Sequence, residues 1–443
     1  MKYLQANRQW LWLLPVCLPW LTSLAGPFQF DDFNVIVNYS PVHSFSAWLD
    51  AQPGIRPLLK LSYTANWTLS PSPFGFHLFN LLVHLLNTAL LYRWLSTRLP
   101  LDARMAGLVT LLWALHPVQS EAVTYIAGRS VSLSTTFLLC GLLLLDSRNR
   151  RRAISLGLVT LAGLAVRETS WIFPLVFLLV TWMQGRGGKA ALRMSAPAWL
   201  AVALVLPVLI FEPHYRHLLD VSFSTRDLNA QWLTQMTAWR YFLTGLVFTL
   251  TPNIDPALIV PPHWTTSLIA QAILLKSVLL FCLWQMLARR NWMAAGVVWF
   301  FLLLFPVNGV IPRLDVANDR HLYPALIGPA WALGLALSRW QAGYVVMIGL
   351  VVVFSIGLLI RNEDYRSNVA LWHRTAQQSP DKSRVWNNLG YACQQAVMAD
   401  CARNAYREAL RLDPTNTKAA VNLYFLERQA NPAASGKSAS SPH

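Results

Sequence analysis

Charge is scarce in this chain. Asp, Glu, Lys and Arg make up 13% of its 443 residues, against about 25% in soluble domains. That scarcity excludes an ordinary soluble or disordered protein. With 55% hydrophobic residues and a mean hydropathy of +0.38, the sequence reads as a polytopic membrane protein. Cysteine is sparse too: there are five and no Cys-x-x-Cys pair, which argues against a zinc site. Cys17, Cys140 and Cys282 lie in apolar runs as packing residues. A phosphate-cradling Gly-rich loop is also missing. Acids are the rarest charged class, 20 against 36 Lys and Arg, for a net charge of +16. The basic residues cluster in short loops between apolar runs, the positive-inside pattern. Anionic headgroups, not nucleic acid, are therefore the expected partner of this charge.

What is present is a succession of apolar runs. The first, residues 10–26, follows Lys2 and Arg8. Ser23-Leu24-Ala25 resembles a signal-peptide cleavage site, whereas Pro19 and Trp20 interrupt a simple hydrophobic region and favour a retained span. Either way residues 27–75 form the first outer loop. Later runs alternate across the bilayer, with Arg148, Arg150, Arg151 and Arg152 as the firmest cytoplasmic marker. Parity asks residues 238–251 to enter and leave on the outer side as a re-entrant or interfacial helix. The expected fold is all-α: a membrane bundle of about eleven spans over residues 1–360.

Residues 361–430 are polar and helical. Trp386, Leu389, Gly390, Ala402, Tyr406, Ala409 and Pro414 fall at the spacings of a tetratricopeptide repeat, and Pro380 and Trp372 sit one period of about 34 residues earlier. Such a short module is expected to pack on the membrane domain or on a protein partner. Cys393 and Cys401 on its first hairpin fit either a disulfide in an oxidising periplasm or two buried thiols. Residues 431–443 read as a disordered tail.

The unusual polar residues gather on one side of the membrane. Asp31 and Asp32, His116, Glu121 and Arg129, Arg167 and Glu168, and Asp319, Arg320 and Tyr323 all fall outside or at outer helix ends. Ionised groups at a bilayer edge need water or a partner of opposite charge and are functional candidates. Each also has a plainer reading: solvated loop acids for Asp31 and Asp32, a structural pair for Arg167 and Glu168, a packing imidazole for His116. Transporters place polar groups near the bilayer midplane, whereas the middles of these runs are mostly clean. Carboxylates can take a proton from an acceptor, and arginines can hold a phosphate bidentately.

At several points the residues resemble a known family. Arg56-Pro57-Leu58, Gly75-Phe76-His77-Leu78, His116-Pro117-Val118 with Glu121 and Gly128-Arg129, Arg167-Glu168-Thr169, Asp319-Arg320-His321-Leu322-Tyr323-Pro324 and Asn388-Leu389-Gly390 look like the transmembrane-and-tetratricopeptide-repeat O-mannosyltransferases and their bacterial relatives. Those are GT-C glycosyltransferases. The resemblance implies a polyprenyl-phosphate sugar donor, inversion at the anomeric carbon, and a catalytic acid in the first outer loop: Asp31, helped by Asp32. It implies donor-phosphate contacts from Arg167, Arg320 and Arg129, with Glu121, Glu168, His116, Asp319 and Tyr323 in support. Two departures stand out. Arg167 replaces the usual lysine, and the repeat array is shorter than in animal members. No cofactor and no metal ligand set is implied, and metal dependence stays open. So do the sugar, mannose being implied by the animal relatives alone, and the acceptor, a hydroxyl on protein or glycan. The expected location is a bacterial inner membrane, with a cytoplasmic N-terminus and a periplasmic C-terminal module. A non-catalytic scaffold and a lipid-linked glycan transporter are the competing readings.

Overall fold

The computed structural model describes residues 14–52, 54–145, 151–247, 252–309, 311–313 and 315–430. The markers Lys2, Arg8, Arg148 and Arg150 and the tail from 431 lie outside these. The described residues form helices, with no strand among them. Proline and small polar residues set where the helices begin. Pro57 and Pro73 occupy first positions in Pro57–Leu69 and Pro73–Arg98, where a missing amide proton leaves no helical bond unmade. Asp102 caps Ala103–Ala114 by accepting from the Arg104 and Met105 amides. Asn291 does the same for Trp292–Leu304.

Five helices are long and apolar enough to cross a membrane: Pro73–Arg98, Ile126–Leu144, Gly188–Phe211, Thr266–Arg289 and Gln341–Asp364. Six shorter apolar helices accompany them: Pro15–Ala25, Ala103–Ala114, Arg152–Val166, Glu168–Met183, Trp292–Leu304 and Ile327–Leu337. The protein is a helical membrane protein. Where a short re-entrant helix was expected, a helix of 20 residues runs from Leu228 to Val247. It begins inside the polar stretch because its polar side chains turn inward. Gln231 donates to the Gly309 carbonyl at 2.9 Å, and Gln235 accepts from Asn308 at 3.2 Å. These bonds satisfy buried groups that would otherwise be costly.

The chain divides into two compact units. The first holds the apolar helices up to Asn362. In it, Ile36, Val42, Leu59, Tyr63, Phe76, Ile126 and Val166 form one buried cluster, which seats the segment before Pro73 on the ends of three apolar helices. The second unit comprises Asn253–Leu258 and the chain from Glu363. Its helices are Asn368–Gln378, Ser383–Gln395, Ala399–Leu412 and Thr417–Ala430. A Cβ on Gly390 would lie 2.5 Å from the Tyr406 ring, so only glycine lets these two helices close to their packing distance. Cys393 and Cys401 are joined as a disulfide with Cα atoms 5.8 Å apart. Asp255, on the inserted segment, accepts from Lys382 at 2.5 Å and from Arg384 at 2.9 Å.

Candidate functional site

Asp31 and Asp32 are neighbours in sequence but face different surroundings. Phe30 has a left-handed φ of 48°, a conformation a non-glycine residue keeps only when its neighbours enforce it. The turn then closes through Asp32. One carboxylate oxygen accepts from the Gln29 amide at 2.9 Å and the other from the Ala127 amide at 2.7 Å. Asp32 is 1% exposed. Burial pushes its pKa up to about 8, against the pull of those two amide bonds. Asp31 turns the other way. Its side chain is 37% exposed, and its Oδ2 lies 4.0 Å from Arg320 Nη1.

Asp31 opens onto a cavity of about 410 Å³, room for a monosaccharide-sized group. Five cations line it: Arg56, Lys60, Arg167, Arg313 and Arg320; Asp31 is the carboxylate in the lining. Arg56 has a φ of 53° and is held from behind by Glu168, with Nε at 2.9 Å and Nη2 at 2.9 Å from its two oxygens. Lys60 donates to the Tyr39 hydroxyl at 2.9 Å. Arg167 sits at the junction between Arg152–Val166 and the 3-10 turn Glu168–Ile172. It is 5% exposed and bonds only neutral groups: Thr169 at 3.1 Å, Ser130 at 2.8 Å and His321 Nδ1 at 3.1 Å. Burial holds the His321 pKa well below its ordinary value, and the Arg167 charge adds to this. The ring is thus neutral and free to accept. Arg313 is pulled down to about 10 by burial and then by the Arg320 and Arg56 charges. The wall thus carries more positive than negative charge, with Glu168 offsetting Arg56 from behind.

The remaining candidates stand behind the cavity, outside its lining. Arg129 is 0% exposed. It spends its guanidinium on Asn80 Oδ1 at 2.7 Å, the Ser62 carbonyl at 3.0 Å and the Phe76 carbonyl at 3.1 Å. It stacks on Phe79 at 4.4 Å as well. These contacts engage Arg129 inside the protein, away from the cavity lining to which Arg56 and Arg313 contribute. The Tyr323 hydroxyl bonds His84 at 2.8 Å and Asn87 at 3.1 Å. His116 caps its own turn by accepting from the Val118 amide. Glu121 is 1% exposed, and neither of its oxygens has a hydrogen-bond partner. Burial, then the Asp319 charge, raises its pKa well above the carboxylate range. Asp319 is buried beside Tyr241. Among the described residues no three of His, Cys, Asp and Glu converge as metal ligands. Sequence reasoning passed over Arg56, Lys60 and Arg313, all of which line the cavity. The first two lie four apart, one helical turn, at the start of Pro57–Leu69, and that basic pair within an otherwise apolar loop helix was the available signal.

Comparison with known proteins bears on this arrangement. The chain is 21% identical over 432 residues to protein O-mannosyl-transferase F38B6.6 of Caenorhabditis elegans, covering 90% of this chain and 61% of that protein. It is 22% identical over 483 residues to protein O-mannosyl-transferase TMTC3 of Homo sapiens, covering 90% of this chain and 51% of the relative. A third relative is protein O-mannosyl-transferase Tmtc2 of Drosophila melanogaster, 28% identical over 272 residues, 54% of this chain and 28% of that one. The chain is a relative of the TMTC O-mannosyltransferases. It spans 61% and 51% of the length of the first two. No family model and no solved structure matches.

Proposed function

We propose that the protein is an inverting membrane glycosyltransferase that moves a sugar, mannose by its relatives' names, from a polyprenyl-phosphate donor to an acceptor hydroxyl. The observation that carries this is the pairing of one open carboxylate, Asp31, with a cavity wall of cations. The donor phosphate rests against Arg167, Arg313 and Arg320, its sugar fills the cavity, and its lipid lies in the membrane beside the helix ends. The acceptor oxygen attacks the anomeric carbon from the face opposite the phosphate. As the C–O bond to the leaving phosphate breaks, the acceptor proton passes to Asp31. The leaving phosphate ends with two negative charges where the donor carried one. A fixed excess of positive charge therefore stabilises the transition state more than the ground state. Asp32 and Glu168 hold Asp31 and Arg56 in place. The catalytic loop and the C-terminal unit belong on the outer face, periplasmic in a bacterial inner membrane, as the positive-inside pattern supports. The C-terminal helices, with their tetratricopeptide-like spacing, are the part suited to meet a protein acceptor or partner.

The test uses purified full-length protein in nanodiscs with radiolabelled polyprenyl-phosphate mannose, following released polyprenyl phosphate and labelled acceptor. Asp31→Asn is expected to abolish release while donor binding persists. Wild-type release from the Asp31→Asn protein would remove the acid from the mechanism. Donor crossing the bilayer with no glycosidic bond made would favour a transporter.

A further inference from the structure

Asp31 is only as useful as its placement, and its side chain reaches the cavity because the backbone beneath it is tied down. Two of those ties come from one turn. The Asp31 amide donates to the Tyr125 hydroxyl at 3.0 Å, and the Ala127 amide donates to Asp32 at 2.7 Å. The same Tyr125 ring carries the Arg320 guanidinium carbon 5.9 Å from its centre. Tyr125 is 1% exposed and is not part of the cavity lining. The turn that presents it cannot give way easily. A Cβ on Gly128 would fall 2.1 Å from the Glu121 carbonyl oxygen, so the backbone there is pressed against the preceding helix. This rigid turn opposes the left-handed Phe30, whose φ of 48° needs an outside constraint to persist.

We infer that Tyr125 is a positioning residue: its hydroxyl fixes the Asp31 backbone and its ring seats Arg320, so that one buried side chain sets the spacing of the acid and the guanidinium across the cavity. The inference rests on the transferase reading, but one of its tests does not. Tyr125→Phe keeps the ring under Arg320 and removes the acceptor of the Asp31 amide. The loss of one buried hydrogen bond is expected to speed amide exchange over residues 28–38 about fivefold or more, with exchange over 73–98 unchanged. With polyprenyl-phosphate mannose as the probe, turnover is expected to fall about tenfold at saturating donor while half-saturation moves less than about twofold, the split of an interaction used in the transition state. Unchanged exchange over 28–38 overturns the inference whether or not turnover is seen. So does faster exchange throughout the protein, or a loss of donor affinity in step with turnover, since either marks a general folding role. If Asp31→Asn retains full turnover, the transferase mechanism fails instead. If Asp31→Asn is dead and Tyr125→Phe matches wild type, Tyr125 alone loses its role.

Discussion

At the scale of single residues, two adjacent aspartates do unlike work because their surroundings differ. The isolation of Asp31 and Asp32 in an apolar sequence marked them as a pair. The resemblance pointed to Asp31, but the residues alone do not say which one opens to the cavity, because that depends on the left-handed Phe30 and on an amide 95 residues away at Ala127. Arg129 shows the same limit in reverse. Its charge suggested a ligand, but only the folded chain encloses it with Asn80, Ser62 and Phe76. The Asp32 environment has a consequence for pH. The carboxyl moves from about 4 in the unfolded chain to about 8 in the folded one. Between these values the folded protein keeps a proton that the unfolded chain has released. The stability linked to this proton is complete below about pH 4 and is lost as pH rises through about 8. The thermal midpoint of the wild type is therefore expected to fall more steeply between about pH 5 and 8.5 than that of Asp32→Asn, which cannot ionise. Scanning fluorimetry of both proteins across that range checks it, and parallel slopes would show that Asp32 is ionised in the fold.

At the scale of elements, the apolar helices were legible because composition alone dictates them. Their caps and breaks were partly so: Pro73 and Asp102 announce helix starts in any context. The helix Leu228–Val247 was read too short, since its inward-facing glutamines look like loop residues until Gly309 and Asn308 are placed opposite them. In the C-terminal unit, the spacing of Gly390 and Tyr406 foretold a close helix pair, and the two do meet. Gly390→Ala forces a methyl against the ring and is expected to destabilise the pair by about 1–3 kcal/mol. Faster amide exchange confined to Ser383–Gln395 and Ala399–Leu412 would register this. Unaltered exchange there would mean the Tyr406 ring can swing aside without cost.

At the scale of the whole molecule, the scarcity of acid extends to the cavity. Only 20 Asp and Glu occur in the chain, and the cavity wall carries Asp31 against five cations. Such a surplus is expected to bind anions of simple shape. Inorganic pyrophosphate is expected to compete with the donor and to lose potency as ionic strength rises from about 0.05 to 0.5 M, where screening shortens to a few ångströms. Arg313→Gln is expected to weaken that competition several-fold, read as a rise in the inhibition constant. Inhibition insensitive to both salt and Arg313→Gln would place the anion elsewhere. The burial of Asp255 bears on any attempt to dissect the protein. This acid is supplied by a segment far earlier in the sequence than the helices that neutralise it. Severing the backbone after Asn362 would remove Lys382 and Arg384 together with the helices against which Asn253–Leu258 packs, leaving that segment without its own unit. A deletion that silences the proposed transfer would then report an uncovered loop as readily as a missing C-terminal unit, whereas Lys382→Ala with Arg384→Ala keeps the helices and removes the charges alone.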